Sequence, residues 1–176
     1  CIDYNHDIFV ITDFQHVKPA RGAAFVRTSM KSMTNGKTLE NTWSSGHKID
    51  IVRVERRKFQ FLYKDESGLN LMDNESFEQL AIPEDMVDSP QFLKEGMEVD
   101  ILYHAEKDLP LRVELPQYIN VLVTYSEPGA KGDTATNVNK PATIETGAVV
   151  KVPLFINEGD TIKIETLTGA YVERAK

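Results

Sequence analysis

The chain has 176 residues, with 20 Lys/Arg against 27 Asp/Glu for a net charge of −7, and 41% of its residues are hydrophobic. That balance fits a soluble folded protein and counts against a general nucleic-acid binder, which is usually basic overall. No apolar run is long enough to span a bilayer, no basic-then-apolar leader is visible, and the lone Cys1 excludes an internal disulfide or a cysteine-based metal cluster.

Position 1 is cysteine and leads straight into a strand-like pattern, which predicts residues upstream of it. A reducing, cytoplasmic compartment follows from the cysteine usage. The run Ile8-Phe9-Val10-Ile11 is β-rich and leads to Val17-Lys18-Pro19-Ala20-Arg21-Gly22-Ala23-Ala24-Phe25, which reads as a hairpin loop. Proline fixes one φ and glycine permits a turn that other residues resist, so Lys18 and Arg21 should project from a partly ordered tip. A guanidinium there offers a planar fork of donors suited to phosphate or RNA edges, although the loop taken alone favours a solvated turn.

Beyond the loop, Ala24, Val26, Thr28 and Met30 alternate with Phe25, Arg27, Ser29 and Lys31, the period of a half-buried strand. Arg27 and Lys31 then share the exposed face. Asn35-Gly36 marks a hairpin, Trp43 reads as a packing residue, and Ile49, Ile51 and Val52–Val54 form a further strand. Phe59, Phe61 and Tyr63 alternate as one strand face, closed by a turn over 64–68 and a return over Leu69–Met72. Two short helices are predicted, Glu75–Leu80 with Asn74 as cap, and Pro90–Glu95 after Ser89. Alternation resumes in three strands: Met97–Tyr103, Leu111–Leu115 (which Pro116 ends) and Ile119–Tyr125. Ser126–Pro141 is a long polar loop, a kind that is often functional, and strands return at Ala148–Val152, Thr161–Glu165 and Tyr171–Arg174.

Gly-x-x-(Ile/Val)-x-Ile occurs at Gly46, Gly96 and Gly159, a spacing that suits three small β-barrels in series. Domain boundaries are expected at 1–51, 52–115 and 116–176. Charge shifts with them: six cations against five acids, then eight against fifteen, then six against seven. The four histidines are scattered without zinc spacing, and neither a nucleophile elbow nor a phosphate-binding glycine loop is present. Acid pairs such as Glu84-Asp85 read as solvated or capping residues. The chain is therefore expected to be neither an enzyme nor dependent on a metal or cofactor. Aromatics on barrel strands are more often core than stacking platforms, and Tyr171 and Arg174 either close a barrel or stand exposed on a terminal strand.

The pattern Val17-Lys18-Pro19-x-Arg21-Gly22-x-Ala24-Phe25-Val26-Arg27 resembles the first domain of the bacterial elongation factor P family. The similarity continues through Val54–Tyr63 and Met72–Gln79. It is densest at Glu127-Pro128-Gly129-x-Lys131-Gly132-Asp133-Thr134-Ala135, Lys140–Thr143, Thr146–Phe155 and Thr168-Gly169-x-Tyr171-Val172-x-Arg174. The resemblance implies an all-β chain of three barrels in an L shape, an SH3-like (KOW) domain followed by two OB-type domains. It further implies a tRNA mimic that binds the ribosome and promotes peptide-bond formation where peptidyl-tRNA stalls at consecutive prolines.

By the same resemblance, Lys18, Pro19, Arg21 and Gly22 form the tip directed at the peptidyl-tRNA acceptor end, and Lys131, Gly132, Asp133 and Thr134 form an RNA-binding loop in the third domain. Arg27, Lys31, Tyr171 and Arg174 are candidate RNA contacts. Partners would be the ribosome, peptidyl-tRNA, ribosomal RNA and an enzyme modifying Arg21, with no membrane. The tip departs from the family's lysine form, because Ala20-Arg21 stands where Gly-Lys is usual, so no ε-amine modification can form at position 21. An arginine-bearing paralogue of the family shares the Ala-Arg-Gly-Ala-Ala string, whereas the intact Gly132-Asp133-Thr134-Ala135 favours the main family. A generic OB/SH3-type RNA-binding module is the remaining alternative.

Overall fold

The computed structural model describes residues 1–128 and 138–175, and the described residues form fifteen strands in three five-stranded sheets. The first sheet holds β1 (Ile2–Tyr4), β2 (Asp7–Val17), β3 (Phe25–Ser32), β4 (Thr38–Ser44) and β5 (Asp50–Ile51), in the order β4-β3-β2-β1-β5. The second holds β6 (Val54–Asp65), β7 (Gly68–Asp73), β8 (Gln79–Ile82), β9 (Glu98–His104) and β10 (Leu109–Glu114), in the order β10-β9-β6-β7-β8. The third holds β11 (Tyr118–Ser126), β12 (Asn139–Ile144), β13 (Val149–Pro153), β14 (Thr161–Glu165) and β15 (Tyr171–Arg174), in the order β13-β12-β11-β14-β15. Two compact units emerge, Cys1–Arg57 with Ile101–Val113, and Lys58–Asp100 with Glu114–Lys176, so strands of the middle sheet contribute to both.

Alternation predicts the buried faces well. Val99 and Ile101 on β9, Ile162 and Ile164 on β14, and Ile119, Val121 and Val123 on β11 are all buried. Trp43 packs edge-on against Tyr4 at 5.2 Å and donates its indole N–H to Thr28 Oγ1 at 2.8 Å, which satisfies the one polar atom of a half-buried ring. Phe92, carried between β8 and β9, is buried in the cluster formed by the third sheet's Ile144, Val150 and Ile162 with Ile156 from the β13–β14 connection.

Four expectations change. Glu75–Leu80 is no helix: Asp73 Oδ1 accepts from Glu75 N at 2.7 Å and Ser76 N at 3.1 Å, Phe77 takes φ +61°, and the chain turns directly into β8. The side chain of Asp73 supplies the backbone hydrogen bonds a helix would have supplied, and so competes with it. The helix predicted over Pro90–Glu95 is only a 3-10 turn over Pro90–Phe92, with another at Glu84–Met86. Tyr63 does not share a face with Phe59 and Phe61: the β6–β7 register slips between Phe61 and Tyr63, pairing Phe61 with Leu71 but Tyr63 with Asn70. That bulge turns Tyr63 outward while Phe59 and Phe61 stay buried. Finally, Ile49 and Ile51 are exposed, and β5 is a two-residue strand that pairs only with β1.

Candidate nucleic-acid interface

The tip sits on a long, partly unsupported hairpin. β2 runs eleven residues, but β1 pairs only with its first part, Asp7–Phe9, so the rest has β3 on one side and an open edge on the other. β3 is flanked by β4 over the pairs Phe25↔Ser44 to Lys31↔Thr38, which braces the hairpin from one side. Ser45 N donates to Ala24 O at 3.0 Å and fixes the chain as it re-enters β3. Val17↔Phe25 is the last paired rung, and residues 18–23 beyond it are all exposed.

Within the tip, Gly22 has φ +107°, a conformation that a Cβ-bearing residue reaches only under strain. A Cβ there would lie 3.9 Å from Pro19 Cγ, so the two restricting residues face each other across the turn. Lys18 precedes this short bend and Arg21 lies within it, both exposed. Ion pairs among the described residues include Arg53–Glu55 at 3.0 Å, Arg57–Asp108 at 2.7 Å, Lys58–Glu98, Lys64–Glu84, Lys94–Glu145 at 2.8 Å and Lys163–Glu173 at 3.1 Å. In those pairs, hydrogen bonds to Asp108 and Glu98 raise the pKa of Arg57 and Lys58 respectively, as expected for cations held by carboxylates.

One sequence signal was missed. From Phe14 to Leu39 there is no Asp or Glu, and the stretch holds Lys18, Arg21, Arg27, Lys31 and Lys37. In a chain of net charge −7 this is a concentrated positive segment, and it coincides with the hairpin. Arg27 and Lys31 are exposed on β3, as predicted, and pair across the ladder with Gln15 and Val10.

The other predicted residues are distributed as follows. Lys131, Gly132, Asp133 and Thr134 lie outside the described residues. At the root of their loop, Lys140 is buried and its ammonium donates to Glu127 O at 2.6 Å, tying the two ends together. Lys140 and Pro141 belong to β12 rather than to the loop, a correction to the predicted extent. Tyr171 packs half-buried against the third sheet's core and lines a groove of about 620 Å³ with Phe92 and Lys151, whereas Arg174 is exposed opposite Ile162. The structure brings Lys18, Pro19, Arg21 and Gly22 together in one tip. Among the described residues no group of three or more His, Cys, Asp or Glu could hold a metal ion, and no helix is long and apolar enough to cross a membrane.

Comparison with known proteins gives three family-model matches in chain order. Residues 1–49 match the elongation factor P KOW-like domain, 54–111 the elongation factor P OB domain, and 119–174 the elongation factor P C-terminal domain. Elongation factor P of Flavobacterium johnsoniae is 55% identical over 176 residues, covering 100% of this chain and 94% of the relative. Elongation factor P of Amoebophilus asiaticus is 54% identical over the same length, covering 93% of that relative. Among solved structures, eukaryotic translation initiation factor 5A from Methanococcus jannaschii aligns with a TM-score of 0.47 and 23% identity, covering 64% of this chain and 85% of that one.

Proposed function

The chain belongs to the elongation factor P family, and from that premise we propose that it is a non-enzymatic translation factor of the cytoplasm. It binds the ribosome beside the peptidyl-tRNA, by tRNA mimicry, and promotes peptide-bond formation at runs of consecutive prolines. The observation that carries this reading is the tip: two cations on a bend restrained by Pro19 and Gly22, at the free end of a hairpin without a carboxylate from Phe14 onward. Such a tip supplies phosphate-directed donors at a fixed distance from the body of the protein.

The benefit to the reaction is one of orientation. Holding the acceptor end of the peptidyl-tRNA in place lowers the entropy still to be lost when the reacting ends meet, which needs no acid, base or metal from the factor. Lys18, Pro19, Arg21 and Gly22 contact that end, with Arg27 and Lys31 on nearby ribosomal RNA or tRNA phosphate. Lys131–Thr134 contact RNA from the third domain: Asp133 accepts from base amino groups or 2′-hydroxyls, and Lys131 neutralises phosphate. Arg174 adds a third-domain cation. Arg21 is the position at which a modifying enzyme would act. The three domains divide near 51/52 and 115/116.

The test is a purified translation system given a message encoding three consecutive prolines. Adding the protein should raise the rate of the slow step by more than about tenfold, equivalent to about 1.4 kcal/mol off the barrier. No acceleration, together with salt-sensitive binding to free single-stranded RNA and none to ribosomes, would instead indicate a generic RNA-binding module.

A further inference from the structure

Phe14 stands where the fold gives it nothing to pack on. The β2–β3 register slips between Ile11 and Asp13, and Thr12 Oγ1 bonds to Ser29 O at 3.0 Å in the bulge. Before the bulge, Phe9 points into the core beside Ser32. After it, Phe14 pairs with Thr28 and His16 with Val26, so the even-numbered residues now share the face of Thr28 and Trp43. Thr28 is buried on that face, yet Phe14 is 70% exposed, because no strand pairs with the open edge of β2 at its level. His16, two residues nearer the tip, is exposed as well.

The hairpin is consequently two-sided. One face carries Arg27 and Lys31, with the acids Asp13 and Glu40 at the rung between them. The other carries Phe14 and His16. Lys18 and Arg21 lie at the end that joins them. A phenyl ring is a platform for any unstacked base, because every base has a π face, and cations nearby hold the sugar–phosphate strand that brings the base there. The same ring in an acidic setting would read as a protein contact. Here the 26 residues from Phe14 to Leu39 contain five cations and no acid.

We propose that Phe14, with His16 beside it, is a base-stacking surface: it receives one unpaired nucleotide of the RNA around the tip, while Lys18 and Arg21 hold the adjoining phosphates. The occupant is an unstacked nucleobase, from either the tRNA end or the surrounding ribosomal RNA. This rests on the ribosomal role proposed above and adds to it a positioning residue outside the tip sequence.

The experiment uses ribosomes carrying peptidyl-tRNA stalled at consecutive prolines, with Phe14→Ala, Phe14→Tyr and the unaltered protein. Stacking loss should raise the factor concentration for half-maximal acceleration about tenfold for Phe14→Ala. Phe14→Tyr, which keeps the ring, should stay within about twofold, and the thermal midpoints of all three should agree because the side chain is exposed. In parallel, p-benzoyl-phenylalanine in place of Phe14 should crosslink to a nucleotide, and mapping that nucleotide separates tRNA from ribosomal RNA. Crosslinks to ribosomal protein alone, or Phe14→Ala matching the unaltered protein in a system where that protein accelerates, would overturn the inference and leave the ribosomal role standing. An unaltered protein that accelerates nothing would overturn both.

Discussion

The second and third sheets are built on one plan and finished differently. In each, the strands run fifth-fourth-first-second-third across the sheet. In each, the first strand slips register late, between Phe61 and Tyr63 or between Val123 and Tyr125, and turns the tyrosine outward. The bulge is bridged the same way: Gly96 N donates to Phe61 O at 2.7 Å, and Gly159 N to Val123 O at 2.9 Å, both glycines having φ above +75°. The hairpins beyond the bulges diverge. In the second sheet Asp65 pairs directly with Gly68, which closes the turn in two residues, and Asp65 Oδ1 accepts from Ser67 Oγ at 2.5 Å and from Ser67 N at 2.8 Å, which lowers the Asp65 pKa. In the third, the last pair among the described residues is Ser126↔Ala142, and Lys131–Thr134 fall between these two in the sequence. A hairpin end lies outside the buried core, so one plan tolerates connections of different length.

The connection to the fourth strand differs too, and breaking it should have the largest effect. The third barrel's own connection supplies Ile156 to its core, while the second's longer connection sends Phe92 there as well. Phe92→Ala should cost about 3–5 kcal/mol, read by urea unfolding, and the loss should fall on probes in the third domain. Next is Gly68→Ala. With φ +127° and a Cβ that would run into the carbonyl oxygen of Ile82, it should cost about 2–4 kcal/mol and confirm that the tight turn is obligatory in the second sheet. Replacing residues 128–138 by the short Asp65–Gly68 turn, which keeps Glu127 and its bond to Lys140, should change stability by about 1 kcal/mol or less while removing the acceleration on proline messages, since chain length in a surface loop costs little. The smallest effect concerns Glu145. Burial disfavours its charge, but the Lys94 ammonium and the Leu122 N–H outweigh that and hold its pKa below the ordinary 4.5. Its contribution is therefore complete above about pH 5 and lost as pH falls through the lowered value. Glu145→Gln should be less stable than the unaltered protein by about 1 kcal/mol or less near neutrality, with the difference vanishing in acid.

Local patterns carried most of the strand order. The alternation at Thr161–Glu165 and the Asn35-Gly36 turn, where Gly36 has φ +70°, match the observed elements because period and turn chemistry are local properties. The bulges were not legible. A single extra residue leaves composition and periodicity almost untouched, yet reverses the face of everything after it, which is why Tyr63 reads as core and Phe14 attracts no notice. The Glu75–Leu80 turn failed for a related reason: Asp73, just before the proposed cap, had a better use for its carboxylate. At the tip, residue types and spacing were visible at once, whereas the open edge of β2 that leaves the hairpin standing clear is a long-range fact of sheet order.

The central claim is that Arg21 acts by orientation at the end of this hairpin. Its most direct test is the rate of peptide-bond formation at consecutive prolines, titrated with the unaltered protein and with Arg21→Ala, while ribosome occupancy is followed separately. Loss of positioning predicts a rate at saturation at least about tenfold lower with occupancy little changed. An unchanged saturated rate for Arg21→Ala, with or without weaker binding, would contradict the account.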